Sequence, residues 1–156
     1  MATREAIVSD WAKRMADGLR RRDESANIGA ARALQVGQLL DSLAPEKWSE
    51  LRNTTMQKCT ELNAEHGMNG RLTYDPSKPE ALVVQNTKAG NEFRMSFSRE
   101  THRVSITGSV ERNYQLRVKD GARDLDFFQI TTKGLPQPAT PSERIAEETL
   151  EAFLAS

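Results

Sequence analysis

The sequence predicts an α+β fold in which helices from both ends of the chain cover an antiparallel sheet. Between residues 71 and 132, apolar side chains alternate with polar ones in several short segments. This period of two is typical of strands with one buried side and one solvent-facing side. Before and after this region, apolar residues recur three or four positions apart, which indicates amphipathic helices. We therefore expect three N-terminal helices, a five- or six-stranded antiparallel meander and a C-terminal helix.

The length of 156 residues is ordinary for one domain, so we expect a single α+β domain. Its expected parts are a helical region over residues 1–67, a sheet over 71–132, a proline-rich linker over 134–140 and a C-terminal helix over 141–155.

Three helices are predicted in the N-terminal region. The first ends near the charged cluster at residues 20–24, and a second begins after Ser25 or Asn27, either of which could cap it. The third begins at Pro45, because a proline at the first helical position lacks an N–H that would be unpaired there anyway. The first helix carries a stripe of apolar residues at helical spacing, namely Ile7, Val8, Trp11, Met15 and Leu19.

The strands should turn one common set of apolar side chains toward the helices. Asp120 with Gly121, and Arg112 with Asn113, are predicted as turns between strands. A slip of one residue would expose the apolar set and bury arginines, so the register should be firm. The expected apolar face consists of Leu72, Tyr74, Leu82, Val84, Phe93, Met95, Phe97, Val104, Ile106, Val110, Tyr114, Leu116 and Val118.

The start of the C-terminal helix has a clear local pattern. Thr140 and Glu143 are spaced as in a capping box, with Pro141 between them at the expected first helical position. We therefore expect Thr140 to cap this helix.

The charges balance overall but not locally. The 22 basic and 22 acidic residues leave no net field that would steer the protein toward nucleic acid or a membrane surface. Residues 67–133 contain 11 lysines and arginines against 8 acidic residues, whereas residues 134–156 contain one arginine against four glutamates. A basic sheet and an acidic C-terminal helix could therefore attract each other.

The cysteine content and hydropathy indicate a protein of the cytoplasm. Cys59 is the only cysteine, so no internal disulfide can form and a reducing compartment fits best. The first residues lack the apolar core of a signal peptide, and no segment approaches the roughly 20 apolar residues of a membrane span. We expect a cytoplasmic protein without membrane contact.

No pattern of catalytic or cofactor-binding residues is evident. His66 is expected at a helix end, His102 in a turn and Cys59 on an apolar helix face, where such side chains are usually inert. Asp124 and Asp126 should face the same side of a strand and could hold a metal ion, but guarding a sheet edge explains them as well. Phosphate loops and dinucleotide motifs are missing from the sequence. We predict no metal and no cofactor.

The leading functional hypothesis is a non-enzymatic protein-binding or assembly module. The helices carry more apolar surface than one sheet face can cover, which favours a homodimer or a complex with another protein. The expected interface is formed by Trp11, Met15 and Leu19.

Two alternatives remain open. Basic and hydroxyl groups on the solvent-facing side of the sheet could bind nucleic acid or a polar ligand through Arg94, Arg103, Arg117 and Lys119. Alternatively, a sheet that curls around its apolar face could form the pocket of a small enzyme. The polar groups available for such a pocket are Tyr114, His102, Asp126 and Arg117.

Overall fold

The computed structural model describes residues 2–119, 124–131 and 137–156, with side chains from residue 10 onward. The chain divides into two compact units, Met1–Gln38 and Leu39–Ser156. The first unit is helical, and the second contains the sheet and both helices that pack on it. The α+β class is confirmed. A single domain stays a prediction.

One continuous helix, α1 (Ala2–Asn63), replaces the three predicted N-terminal helices. The prediction of three was wrong because the residues taken as boundaries do not end the helix. The charged cluster at residues 20–24 and the expected caps Ser25 and Asn27 are all helical. Pro45 lies inside the helix rather than at a start. Ala44 and Trp48 beside it are buried, so packing compensates for the hydrogen bond that Pro45 cannot make.

In the described residues the sheet is a seven-stranded antiparallel meander in which every strand pairs with its neighbours in sequence. The predicted count of five or six was too low, partly because the last strand lies in the expected linker. Residues 134–136 of that linker, and the turn predicted at Asp120 and Gly121, are outside the described residues. The strands are β1 (Leu72–Asp75), β2 (Ala81–Asn86), β3 (Glu92–Ser98), β4 (Arg103–Gly108), β5 (Arg112–Val118), β6 (Leu125–Gln129) and β7 (Ala139–Thr140).

The predicted apolar face of the sheet is confirmed at all but two positions. The buried members are Leu72, Leu82, Val84, Phe93, Met95, Phe97, Val104, Ile106, Val110, Tyr114 and Leu116. Tyr74 was expected in the core but is 37% exposed, because β1 is an edge strand. Its hydroxyl oxygen lies 3.4 Å from Oγ1 of Thr60. Val118, near the end of β5, is only half-buried.

Both helices pack on this apolar face. Trp48 of α1 stacks on Phe97, with ring centroids 5.9 Å apart. From α2 (Ser142–Ala155), Phe153 meets Phe93 edge to face at 4.8 Å. Such aromatic pairs contribute beyond the area they bury.

Polar side chains of α1 bind the backbone of β1, of β2 and of the segment between them. The indole Nε1 of Trp48 donates to the carbonyl of Pro79 at 2.7 Å. The guanidinium of Arg52 donates to the carbonyls of Pro76, Lys78 and Ala81. The amide of Asn63 donates to and accepts from the backbone of Leu72 at 2.7 and 2.9 Å, which satisfies part of the open edge of β1.

The turn predicted at Arg112 and Asn113 is wrong, because both residues belong to β5. The chain reverses before them, after Gly108, whose φ is +105°. A Cβ at Gly108 would lie 2.6 Å from the carbonyl oxygen of Glu92. Glycine is therefore required there by both conformation and space.

The predicted Thr140 cap is also wrong. Thr140 pairs with Phe127 as part of β7, so Pro141 occupies the N-cap position and no side chain caps α2.

The acidic residues of α2 pair with basic residues on other elements. Nζ of Lys58 in α1 lies 3.1 Å from carboxylate oxygens of both Glu143 and Glu147.

Phe153 provides a direct test of the core. Phe153→Ala should lower the free energy of unfolding by about 3–5 kcal/mol, because it removes a fully buried ring that contacts Phe93. Leu154→Ala, at a residue 38% exposed on the same helix, is the control and should cost less than about 1.5 kcal/mol. Urea unfolding curves measure both. Equal losses would contradict this packing of α2.

Candidate functional site

The N-terminal segment, defined as residues 10–38 of α1, exposes large apolar side chains to solvent. The predicted interface residues Trp11, Met15 and Leu19 are 58%, 50% and 54% exposed. They follow one another at intervals of four, so they form one stripe along the helix. Three further large apolar residues of the segment are exposed as well, namely Ile28, Leu34 and Val36.

The charged cluster of this segment lies in the middle of α1, not at the predicted helix end. Asp17 accepts a hydrogen bond from Arg20 one turn later at 3.1 Å, and both side chains are largely exposed. Exposed pairs of this kind contribute only a few tenths of a kcal/mol to helix stability. The basic run Arg20 to Arg22 is followed at once by Asp23 and Glu24.

The basic residues predicted on the solvent-facing side of the sheet are only partly brought together. Arg103 lies opposite Gln115, and Arg117 is the next residue of β5 on the same face. Diagonal neighbours of this kind are roughly 7–8 Å apart. Arg94 of β3 lies opposite Thr107, which is two same-face positions away from Arg103 along β4. Lys119 follows the end of β5, where its N–H donates to the carbonyl of Asp124.

Two of these arginines already interact within the sheet. Nε of Arg103 donates to Oε1 of Gln115 at 2.7 Å. The guanidinium of Arg117 lies 5.5 Å from the ring centroid of Phe128, and its cross-strand partner is Asp126. Phe128 therefore lies on the solvent-facing side of the sheet, beside an arginine. A ligand here would compete with these contacts.

A cleft of about 240 Å³ lies where the turn between β3 and β4 meets α1. Nε2 of His102 lies 2.8 Å from Oδ1 of Asp41, and the two groups form an ion pair when the imidazole is protonated. The residues that line the cleft are Asp41, Ala44, Pro45, Phe97, Arg99 and His102. None of the six is a serine, threonine or cysteine, the side chains that a histidine most often activates as nucleophiles. The cleft is also smaller than the usual ligand pocket of about 300–1,000 Å³.

The four polar groups considered for an enzyme pocket do not share one site. His102 lines the cleft, whereas Tyr114 is buried in the core under the sheet. Burial raises the pKa of the Tyr114 phenol, which the charge of Arg112 opposes only in part. Asp126 and Arg117 are cross-strand neighbours in β6 and β5, on the opposite side of the sheet from Tyr114.

The two aspartates considered as metal ligands have separate partners. Asp124 precedes β6, and its carboxylate accepts a hydrogen bond from the N–H of Leu125 at 2.8 Å. That bond and the charge of Lys47, 3.4 Å away, lower the pKa of Asp124. Within the described part of the chain, no three histidine, cysteine, aspartate or glutamate side chains are grouped closely enough to hold a metal ion.

Cys59 and His66 lie apart from these surfaces. Cys59 is fully buried in the core, and burial raises the pKa of its thiol to about 11. His66 is exposed in the turn after α1.

Comparisons with protein families, with curated proteins and with solved structures found no match to this chain. In the residues that the structure describes, no helix combines the length and apolarity needed to cross a bilayer.

The backbone conformation of His102 predicts that glycine is more stable than alanine at this position, which reverses the usual order of the two residues. His102 has a φ of +54°, a left-handed conformation that costs other residues about 1–2 kcal/mol and glycine almost nothing. The free energy of unfolding of His102→Gly should therefore exceed that of His102→Ala by about 1 kcal/mol in urea titrations, although both variants lose the bond to Asp41. A glycine variant less stable than the alanine variant would contradict this conformation.

The thiol of Cys59 should be unreactive in the folded protein. A pKa raised to about 11 keeps the thiol protonated at neutral pH, and burial blocks access of a reagent. A disulfide reagent that releases a coloured thiolate should detect no cysteine at pH 7.5 until urea unfolds the chain. Rapid labelling of the native protein would place Cys59 at the surface instead.

Proposed function

We propose that this protein is a non-enzymatic assembly module of the cytoplasm that binds a protein partner through the N-terminal segment of α1. The observation that carries the proposal is the half-exposed stripe of Trp11, Met15 and Leu19. Scattered exposed apolar residues are ordinary on protein surfaces, but large ones repeated along one helix face are typical of interaction sites.

The energetics of a helix favour a covered stripe. A helix gains most of its stability from packing of an apolar face, since propensity alone makes isolated helices marginal in water. Fully burying a leucine or methionine contributes about 1.5–3 kcal/mol, and roughly half of that is still available at Met15 and Leu19. A partner that covers the stripe would therefore stabilise this segment and gain affinity from the same contacts.

The other surfaces support an enzyme or a nucleic-acid-binding protein less well. Nonspecific affinity for nucleic acid comes mostly from neutralised phosphates, and this chain has no net charge. Arg103 already donates to Gln115, and Arg117 already lies over the ring of Phe128. The residues described as lining the cleft beside His102 include no serine, threonine or cysteine for the imidazole to activate.

Substitution of the stripe tests the proposal. Met15→Glu together with Leu19→Glu should raise the dissociation constant of the complex by roughly 100-fold or more, because each glutamate would take a charge into the covered face. Light scattering coupled to size-exclusion chromatography of the full chain measures the change. Circular dichroism should report the same folded sheet and helices.

Ala31→Glu together with Gln35→Glu is the matched control. It adds the same charge at the same spacing on the same helix, but on the opposite side from the stripe. The control should assemble like the unmodified chain. The proposal fails if the stripe variant assembles as well as the control, or if the unmodified chain is a monomer that binds no protein.

A further inference from the structure

Eight positions of the N-terminal segment form a regular seam. They are spaced alternately three and four residues apart, as in the contact positions of a coiled coil. All eight are exposed, and only Arg22 is charged. The seam consists of Ala12, Met15, Leu19, Arg22, Ala26, Gly29, Ala33 and Val36. Trp11 flanks it at one end.

The sizes of the side chains differ between the two halves of the seam. The first half contains Met15, Leu19 and Arg22, which are long. The second half contains Ala26, Gly29 and Ala33, which are the smallest residues available. Two helices packed along such a seam need a nearly constant separation, so the pairing of large with small residues decides which arrangement fits.

A parallel pair of identical seams would match each residue with itself. Met15 and Leu19 would then force the helices apart, while three successive layers of alanine and glycine would leave voids. Arg22 would also meet Arg22 of the second copy in one layer, which places two like charges side by side at the contact.

An antiparallel pair with its twofold axis at residue 24 removes both problems. Met15 then meets Ala33 of the second copy, and Leu19 meets Gly29. Every layer combines a larger side chain with a smaller one, and the last two pairs are Ala12 with Val36 and Arg22 with Ala26. The eight layers extend over roughly 36 Å at 1.5 Å per residue.

The charges near the axis are balanced in the same arrangement. Arg22 meets Ala26 of the second copy, so it lies within one helical turn of Asp23 on that copy. Two arginines and two aspartates therefore surround the axis. The small side chain of Ala26 leaves room for each Arg22 to reach the aspartate of the other copy.

From this complementarity we infer that the partner of the seam is a second copy of the same chain, bound antiparallel with Met15 against Ala33. The inference rests on the proposed assembly function and adds the identity, direction and register of the partner. An isologous contact of this kind closes as a dimer and does not continue into a filament.

Cross-linking between single-cysteine positions tests direction and register together. Met15→Cys and Ala33→Cys are prepared separately in the full chain, where Cys59 is buried and the unmodified protein serves as its control. A short thiol-specific cross-linker should link chains in an equimolar mixture of the two variants. Each variant alone should give only background cross-linking. The same residue in the two copies lies roughly 27 Å apart along an antiparallel pair.

Two results would overturn the inference without touching the proposed function. Cross-linking of Met15→Cys with itself would show a parallel pair. A chain that is monomeric by sedimentation equilibrium at tens of micromolar, but binds a different protein through the stripe, would have a partner of another kind. If Met15→Glu with Leu19→Glu changes no complex at all, the proposed function fails together with the inference.

Discussion

The fold depends on one apolar sheet face that is continuous across most of its strands and must be kept from water. Phe93, Met95 and Phe97 of β3 occupy its middle, and two helices cover them. Trp48 and Phe153 reach this face from helices at opposite ends of the sequence. Burial of such rings contributes several kcal/mol each, comparable with the net stability of a whole domain. The remaining polar contacts, such as those of Arg52 and Asn63, align the helices with the strands but could not replace this packing.

The same constraint explains why the two parts of α1 have different surfaces. From residue 44 onward its apolar residues are buried, as Leu51 and Cys59 are, and the helix continues through Pro45 because packing holds it. Between residues 10 and 38 the large apolar residues are exposed, and the sequence changes to alanine and glycine with a few large side chains. A helix of that composition is marginal alone. Its exposed seam is the surface on which the proposed assembly depends.

Several charged side chains of the second unit have partners within that unit. Arg103 donates to Gln115, and Arg117 lies over the ring of Phe128. Lys58 is held by Glu147 and Glu143, whose hydrogen bonds raise its pKa. The pair of His102 and Asp41 joins the turn after β3 to α1 and holds a backbone conformation that histidine rarely adopts. These groups hold the strands and helices of the second unit in position.

The sequence by itself determined the α+β class, the alternation of the strands and nearly all of the buried sheet face, because a period of two leaves only one way to hide Phe93 and Leu116 together. It also identified Trp11, Met15 and Leu19 as apolar residues on one helix face. Only the tertiary structure decided that one helix runs through Pro45, that Thr140 is in a strand rather than a cap, and that Tyr74 lies at an open edge. Each of these depends on contacts between residues distant in sequence, whose packing energy exceeds the local preferences of about 1 kcal/mol that a sequence pattern expresses.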